Sequence, residues 1–277
     1  MPSTFAEQLR KLPIVVKYEL LKQLRRFRLY GLLIIGSIAT LAAVILGLVF
    51  LGDISGTSAS DFSYLIINFG EVGYFGLIAG VFFSGDAVSS EFEHKTGYLM
   101  FLNPVTRTTL LVGKYFSSCI ACVFVVTMPY FIVSLGVTLI YGVLPVGVLL
   151  SYLFTIFYAC SVASLTFVFS ALFRGSMGAS ILPFLLIFFV FPVIMAVLMI
   201  AGIEPIIFIN YGAQIAQNIL LNTYPPNRLA YSIGAGGFGI TVTEFYATVA
   251  EGVIIMGSYL VIGLVLSALI MSRRQMA

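Results

Sequence analysis

The charged side chains that separate two hydrophobic segments of this sequence are concentrated between Ser84 and Lys114. Glu91 and Glu93 stand at the start of this stretch, and the apolar group 99–102 follows within three turns of a helix. Carboxylates at this spacing can form ion pairs, and an apolar group beside them can enter a pocket on a partner. The chemistry predicted for the stretch is therefore recognition of an aqueous partner by a short amphipathic helix.

Residue combinations typical of catalysis do not occur. His94 is the only histidine, so a histidine-based metal site or catalytic triad has almost nothing to build on. The sequence contains no Walker phosphate loop, no G-x-S-x-G elbow and no H-E-x-x-H motif. Cys119 and Cys122 have redox spacing but lie in an apolar segment, which favours buried packing thiols. We expect the chain itself not to be an enzyme.

The composition is that of a membrane protein, with 60% hydrophobic and only 9% charged residues. A helix crosses a bilayer with about twenty apolar residues, and these apolar runs are too long for barrel strands of about ten residues. We therefore predict an all-α polytopic membrane protein with six transmembrane helices. The predicted spans are at about 30–51, 64–87, 112–141, 146–173, 177–202 and 247–271.

The distribution of basic residues predicts the orientation in the membrane. Seven basic residues precede the first span, and others lie in the 2–3 loop, in the 4–5 turn at Arg174 and after the sixth span. The positive-inside rule places both termini and these two loops in the cytoplasm. The charged amino-terminal region is also too long for a cleavable signal sequence. We expect a multi-pass protein of the plasma (cytoplasmic) membrane.

Residues 1–29 form a separate unit in the prediction. Apolar residues recur every three or four positions from Phe5 to Phe27, with Lys and Arg between them, which indicates an amphipathic helix in the headgroup layer. We expect an interruption near Pro13 and an elbow where the helix meets the first span at Tyr30. A disordered basic tail that only fixes orientation is the alternative. Residues 30–277 form the six-span transmembrane domain.

Two connecting segments of that domain are long enough for structure of their own. The cytoplasmic loop 88–111 holds the short amphipathic helix. The external segment 203–245 is too apolar for a solvated loop and too interrupted for another span. It predicts short re-entrant or interfacial helices.

Some residues inside the spans also point to function or packing. Glu71 lies near the outer end of the second span, and Glu251 about two turns inside the outer surface of the sixth. Carboxylates at such depth are costly unless paired or hydrated, so both are candidates for a transport pathway, with a solvated position as the alternative. Gly76-x-x-x-Gly80 indicates close helix packing, which we expect within the subunit, with a dimer contact as the alternative. Pro183 and Pro192 predict a bent fifth span.

The stretch from Ser90 to Lys114 resembles the signature region of ABC-2 type exporter permeases. That pattern runs roughly E-R-E-x-G-T-L-x-x-L-L-x-x-P-[VI]-x-R, followed by a G-K that opens the third span. The matching positions here are Glu91, Glu93, Thr96, Pro104, Val105, Arg107, Gly113 and Lys114. Lys95 stands where the family usually has Gly, and Gly97 follows Thr96 where the family has Leu. With the six spans, the elbow and the external segment, the resemblance covers essentially the whole chain.

The resemblance implies the permease subunit of an ATP-driven exporter in a bacterium or archaeon. It implies a homodimer or a pair of similar permeases, bound to two separate cytosolic ATPase subunits that hold ATP and Mg²⁺. Nucleic acid is not an expected partner, whereas membrane lipids are. The helix around Glu91 to Leu102 is then the coupling helix, and Arg174 is a second ATPase contact. The residues expected to contact the ATPase are Glu91, Glu93, Lys95, Thr96, Tyr98, Leu99, Phe101, Leu102 and Arg107.

The substrate class stays broad in this prediction: amphiphiles, drug-like molecules, peptides or lipid-linked molecules, moved outward by alternating access. Two other functions remain open. A secondary transporter or channel would work without ATP but usually has ionisable groups at mid-membrane, and the centres of these spans look almost free of charge. A membrane anchor or assembly factor for a cytosolic partner would use the same loop. Co-purification with an ATPase distinguishes the exporter from both.

Overall fold

A computed structural model describes residues 5–51, 56–70, 72–93, 106–233 and 240–273. Within these residues, six helices are long and apolar enough to cross a membrane. This confirms the prediction of a mainly α-helical, multi-pass membrane protein. The most exposed of the six are the first, fifth and sixth, with 28%, 17% and 22% of their apolar windows buried, so their surfaces face lipid or another protein.

The amino-terminal half contains α1 (Phe5–Leu24), α2 (Phe27–Leu51), α3 (Ala59–Phe69), α4 (Val72–Ser84) and α5 (Ser89–Glu93). The interruption expected at Pro13 is wrong, because α1 continues through this residue and ends later, before the turn at Arg25 and Arg26. The segment 64–87, predicted as one helix, is divided: its first residues belong to α3, and the second candidate span begins only at Val72. Gly70 ends α3.

The carboxy-terminal half begins with α6 (Arg107–Tyr141), α7 (Val146–Leu172) and α8 (Ser176–Leu185). The fifth span continues as a π-helix (Leu186–Val190) and α9 (Phe191–Ile200). The segment 203–245, which the sequence predicts to be external and which keeps that name here, contains α10 (Ile209–Ala213) and α11 (Ile215–Asn218). Strands β1 (Arg228–Ile233) and β2 (Ile240–Phe245) follow. The sixth span is α12 (Val249–Arg273).

The β-hairpin of β1 and β2 is a feature that the sequence prediction missed. The strands pair antiparallel, with Arg228 opposite Phe245 and Ile233 opposite Ile240. The external segment therefore combines two short helices with a hairpin, and the prediction of helices alone was incomplete. The hydroxyl of Tyr224 donates to the carbonyl of Ala247 and ties the approach to the hairpin to the start of α12.

Small residues let the helices approach each other closely. A Cβ atom at Gly80 would lie 2.8 Å from the carbonyl oxygen of Ala159, and one at Gly76 would lie 3.4 Å from that of Thr155. Both contacts are between α4 and α7 of the same chain, so the Gly-x-x-x-Gly motif packs within the subunit. A Cβ at Gly113 would lie 2.6 Å from Cγ1 of Val15, which shows how closely α1 lies on α6.

The π-helix explains how the fifth span accommodates Pro192. In this turn, the N–H of Phe191 bonds to the carbonyl of Leu186, five residues earlier. The next bond of this series would join residue 192 to the carbonyl of Ile187, but proline has no N–H. Nδ2 of Asn210 in α10 donates to that carbonyl at 2.8 Å instead. A side chain from the external segment thus replaces a missing backbone donor, as backbone breaks in membranes require.

Candidate functional site

The basic end of the molecule is defined here by the turn before α5, the start of α6 and the carboxy-terminal ends of α7 and α12. Val88, Leu111, Phe167 and Met271, one from each of these elements, belong to one cluster of buried hydrophobic side chains. This cluster brings the start of the predicted cytoplasmic loop 88–111 into contact with three spans.

A buried ion-pair network lies beside this cluster. The Lys114 side chain is only 1% exposed, and its Nζ lies 2.7 Å from Oε1 of Glu19 and 2.6 Å from Oε1 of Glu91. Glu19 is in α1, Lys114 in α6 and Glu91 in α5, so one ammonium group joins three elements. Removing a charge from water costs several kcal/mol unless a partner of opposite sign is in contact. The two carboxylates provide this partner.

A second set of charges joins the turn between α4 and α5 to the amino-terminal region. Arg26 and Arg28 both donate to Oδ2 of Asp86, with the Arg28 Nη1 at 3.1 Å. The Asp86 side chain is 9% exposed. Close by, Nε2 of Gln23 donates to Oγ of Ser118 at 3.1 Å, and Ser118 Oγ donates to the carbonyl of Phe83 at 2.8 Å. The end of α4 is thereby fixed to both α1 and α6.

Two contacts hold α5 against the fourth and fifth spans. Oε2 of Glu93 accepts a hydrogen bond of 2.8 Å from the backbone N–H of Ser176, the first residue of α8. A carboxylate at this position satisfies a free N–H and interacts favourably with the helix dipole. Ser170 Oγ, in α7, accepts from the N–H groups of Val88 and Ser89 at 3.0 and 3.1 Å. The start of the 88–111 loop is therefore bonded to α7 and α8 as well as to α6.

The buried carboxylates of this assembly each have a cation in contact. Three acidic residues (Glu19, Asp86 and Glu91) face three basic ones (Arg26, Arg28 and Lys114), and the exposed Lys22 lies 4.0 Å from Glu19 at the margin. We call the first six of these residues the anchor network. Because its carboxylates are matched by cations and α5 is bonded to two further spans, α5 is held on several sides. The arrangement can transmit a displacement of α5 to α1, α6 and α8.

The coupling residues expected from the sequence differ in their positions. Glu91 is 5% exposed and faces Lys114 instead of the surface. Glu93 is exposed at the amino terminus of α8. Arg107 is the first residue of α6, and Arg174 is exposed in the turn between α7 and α8. The remaining six lie outside the described residues: Lys95, Thr96, Tyr98, Leu99, Phe101 and Leu102.

The structure describes one of the two pathway candidates. Glu71 lies outside the described residues. Glu251 is in the first turn of α12, not two turns inside the span, because the span begins at Val249. Its Oε2 accepts from the N–H of Thr248 at 2.8 Å, and Thr248 Oγ1 accepts from the N–H of Glu251 at 3.4 Å. This reciprocal pair of hydrogen bonds is a capping box, so the Glu251 side chain stabilises the amino-terminal end of α12.

The sequence prediction missed the partners of Lys114. The signal was present, since a lysine that follows Gly113 inside an apolar helix requires a carboxylate nearby. Glu19 is an acidic residue in a strongly basic helix and was a reasonable partner. Glu19 and Lys114 are 95 positions apart in the sequence, so no local sequence pattern could show that they are partners.

Among the residues that the structure describes, no group of three or more His, Cys, Asp and Glu side chains could hold a metal ion. Comparison with known proteins does not assign the chain to a family. No protein-family model matches the sequence, and no curated protein matches it. The interpretation therefore depends on the residues themselves.

Proposed function

We propose that this chain is the membrane-spanning permease subunit of an ATP-driven ABC-2 type exporter, which two separate cytosolic ATPase subunits drive. The observation that supports this proposal is the anchor network. A permease that is driven by a separate ATPase subunit needs a segment that the ATPase can move. It also needs a stiff connection from this segment to the membrane spans. The 88–111 loop begins at α5, and α5 is bonded directly to α6, α7 and α8. Its link to α1 is indirect, through Lys114, which also contacts Glu19.

In this proposal, the apolar residues Tyr98, Leu99, Phe101 and Leu102 enter a cleft of the ATPase, while Lys95, Thr96 and Arg107 orient the contact. Arg174, exposed beside α8, is the second contact. Glu91 and Glu93 act as positioning residues, because they bond to the chain's own helices. ATP and Mg²⁺ bind in the partner, where closure of the nucleotide sites displaces the loop and tilts the spans between inward and outward access.

The same proposal includes a second copy of the permease, or a similar chain, beside the first. The first, fifth and sixth spans leave most of their apolar windows uncovered within one chain. Lipid covers part of this surface and the second permease the rest. The substrate leaves the cell through the space between the two copies, and its class is an amphiphilic, drug-like, peptide or lipid-linked molecule.

The assembly test is co-purification of the tagged chain with the ABC ATPases of its source organism, expressed together. Phe101→Ala removes an apolar group from the proposed contact and is expected to reduce the bound ATPase at least tenfold, as loss of a central aromatic anchor does. The matched control is Phe116→Ala, because Phe116 is 49% exposed on α6 within the membrane. Equal ATPase recovery with both variants would contradict the proposed contact.

The coupling test uses the assembled complex in lipid vesicles. Glu93→Gln weakens the charge-assisted bond to the amino terminus of α8. We expect the variant to keep ATPase binding and hydrolysis but to move less substrate per ATP. If no ATPase binds wild-type chain, the exporter proposal fails. Ion-driven flux into vesicles would then indicate a secondary transporter or channel, and capture of a partner without flux would indicate a membrane anchor.

A further inference from the structure

Helix α1 has one side against α6 and the opposite side exposed. Glu19 bonds to Lys114, Gln23 bonds to Ser118, and Val15 also lies against α6. Positions 15, 19 and 23 are four residues apart, so they share one face of the helix. The anchor network therefore uses the inner face of α1 and leaves the opposite face to another partner.

The exposed face of α1 carries an apolar stripe that the sequence pattern did not single out. The apolar repeat that predicts an interfacial helix is partly buried by the protein itself, at Leu12, Val16, Leu20 and Leu24. Three other side chains are exposed instead: Ile14 by 55%, Tyr18 by 69% and Leu21 by 39%. They are spaced at i, i+4 and i+7, so they form one line along the helix. We call these three residues the exposed stripe.

Two cations border the exposed stripe without a counter-charge from the protein. Lys17 and Arg25 are both exposed. The N–H of Arg25 bonds to the carbonyl of Leu21 at 3.2 Å, so Arg25 lies one helical turn beyond the stripe. No carboxylate among the described residues pairs with Lys17 or Arg25. Glu19 is the only acidic residue from 10 to 51, and it lies on the inner face.

The position of α1 places this face at the membrane surface. Its neighbour α6 has 35 residues and is about 52 Å long. The hydrocarbon core is about 30 Å thick, so even a tilt of about 40° leaves part of α6 outside it. The charges of the anchor network lie beside its first turns, whereas Leu139 near its last turn is 83% exposed. The first turns, with α1 beside them, therefore extend into a headgroup layer.

The apolar groups decide which anion fits. Phe27, two residues after Arg25, is 93% exposed, and Tyr30 is 53% exposed. A free phosphate ion would neutralise the cations but would leave these rings and the exposed stripe uncovered. A phospholipid supplies the phosphate and the acyl chains together, and the long side chains of Lys and Arg can reach a headgroup while their stems lie on apolar surface.

We propose that the exposed face of α1 is a binding site for anionic glycerophospholipids. Arg25 and Lys17 bind the phosphates, and the exposed stripe and Phe27 lie against the acyl chains. The guanidinium of Arg25 can hold two phosphate oxygens at once. In phosphatidylcholine, the ammonium group beside the phosphate is repelled by the same two cations, so this lipid binds more weakly. The site lies within one chain and does not depend on the proposed ATPase partner.

The test uses tryptophan fluorescence, because the native chain contains no tryptophan. Tyr18→Trp places a single indole in the exposed stripe. The purified chain is reconstituted into vesicles of equal parts phosphatidylglycerol and phosphatidylcholine with identical acyl chains. In one set of vesicles only the phosphatidylglycerol is brominated near the headgroup, and in the other set only the phosphatidylcholine. Bromine quenches an indole beside it, so the two sets together give the relative association constant of the two lipids.

We expect phosphatidylglycerol to be preferred at least about fivefold at position 18, since one basic residue near an anionic surface contributes about this factor. Arg25→Gln should reduce the preference about fivefold, and Lys17→Gln together with Arg25→Gln should remove it. The matched control is Arg174→Gln, which removes one exposed cation from the turn between α7 and α8 and should leave the preference unchanged. A second reporter, Leu139→Trp, should show no preference.

Three results would overturn the proposal. Equal quenching by both lipids at position 18 would mean contact with acyl chains without headgroup recognition. Absence of quenching by either lipid would mean that protein, such as a second copy of the chain, covers the exposed stripe. An unchanged preference in the double variant would mean that Lys17 and Arg25 do not bind the phosphates. The first two results need only the reporter chain with its native cations, so a variant that misfolds does not remove the test. No ATPase is present, so failure of this site and failure of the exporter proposal are distinguishable.

Discussion

Lys114 shows how a single charge inside a membrane helix is made tolerable. Its ammonium group is buried, yet two carboxylates lie within hydrogen-bond distance, and both belong to elements that precede α6 in the chain. The stability of the basic end therefore depends on this residue being charged and on its partners being present. Removal of one member leaves the others buried without compensation, which costs more than the pair contributes.

We expect Lys114→Met to destabilise the protein by about 3–5 kcal/mol, because it leaves Glu19 and Glu91 without their shared cation. Thermal unfolding in detergent can be followed with a thiol-reactive fluorogenic maleimide, since the three native cysteines are buried or partly buried. The triple variant Glu19→Gln, Glu91→Gln, Lys114→Met removes all three charges and should recover most of the loss.

The matched control for this prediction is Lys22→Met. Lys22 is 47% exposed and lies 4.0 Å from the same Glu19. A surface ion pair of this kind contributes little, so its loss should change stability by less than about 1 kcal/mol. Similar effects of Lys22→Met and Lys114→Met would contradict the anchor network.

At the scale of the helices, small residues determine how closely two helices pack. Gly80 allows α4 to lie directly on the backbone of α7. We expect Gly80→Ala to cost about 1–3 kcal/mol, because the added methyl group overlaps a backbone carbonyl that cannot move independently. The same assay measures it. Gly31→Ala is the control, since nothing lies within 4 Å of a Cβ at Gly31, and a comparable loss there would show that the helix contact is not the cause.

The bond between Asn210 and the π-helix gives a prediction about two elements. Asn210→Leu should cost about 1–3 kcal/mol in the wild-type chain, because the carbonyl of Ile187 loses its donor. In a Pro192→Ala background, the new N–H can bond to that carbonyl, and the same substitution should cost less. A double-mutant cycle of unfolding free energies measures the difference. Additive effects would mean that the proline does not create the need for Asn210.

The orientation of the whole molecule can be tested by cysteine labelling. In a background without native cysteines, we expect Arg174→Cys to react with a membrane-impermeant maleimide only after the cytoplasmic side becomes accessible. Asn222→Cys, in the external segment, should react in intact cells. This expectation combines the positive-inside rule with the one span, Ser176–Ile200, that separates residue 174 from residue 222 among the described helices. Labelling of Arg174→Cys in intact cells would reverse the orientation.

The sequence alone was sufficient for the membrane-spanning helices, because apolar runs of this length have one stable solution in a bilayer. The sequence was also sufficient to predict the close helix packing at Gly76 and Gly80, because the Gly-x-x-x-Gly motif is local. The division of the segment 64–87 between α3 and α4 and the hairpin of β1 and β2 were missed. Short elements in an apolar segment depend on contacts with distant residues, such as the Tyr224 bond to Ala247, which local patterns do not contain.

By itself, the sequence determined that the chain is helical, crosses the membrane several times and has a charged loop at its basic end. These properties follow from local hydrophobicity and the cost of exposed backbone in lipid. Only the tertiary structure decided that Glu91 is a buried partner of Lys114 and that Glu251 forms a capping box with Thr248. The energy of a buried polar group depends on what surrounds it, and residues far apart in the chain provide those surroundings.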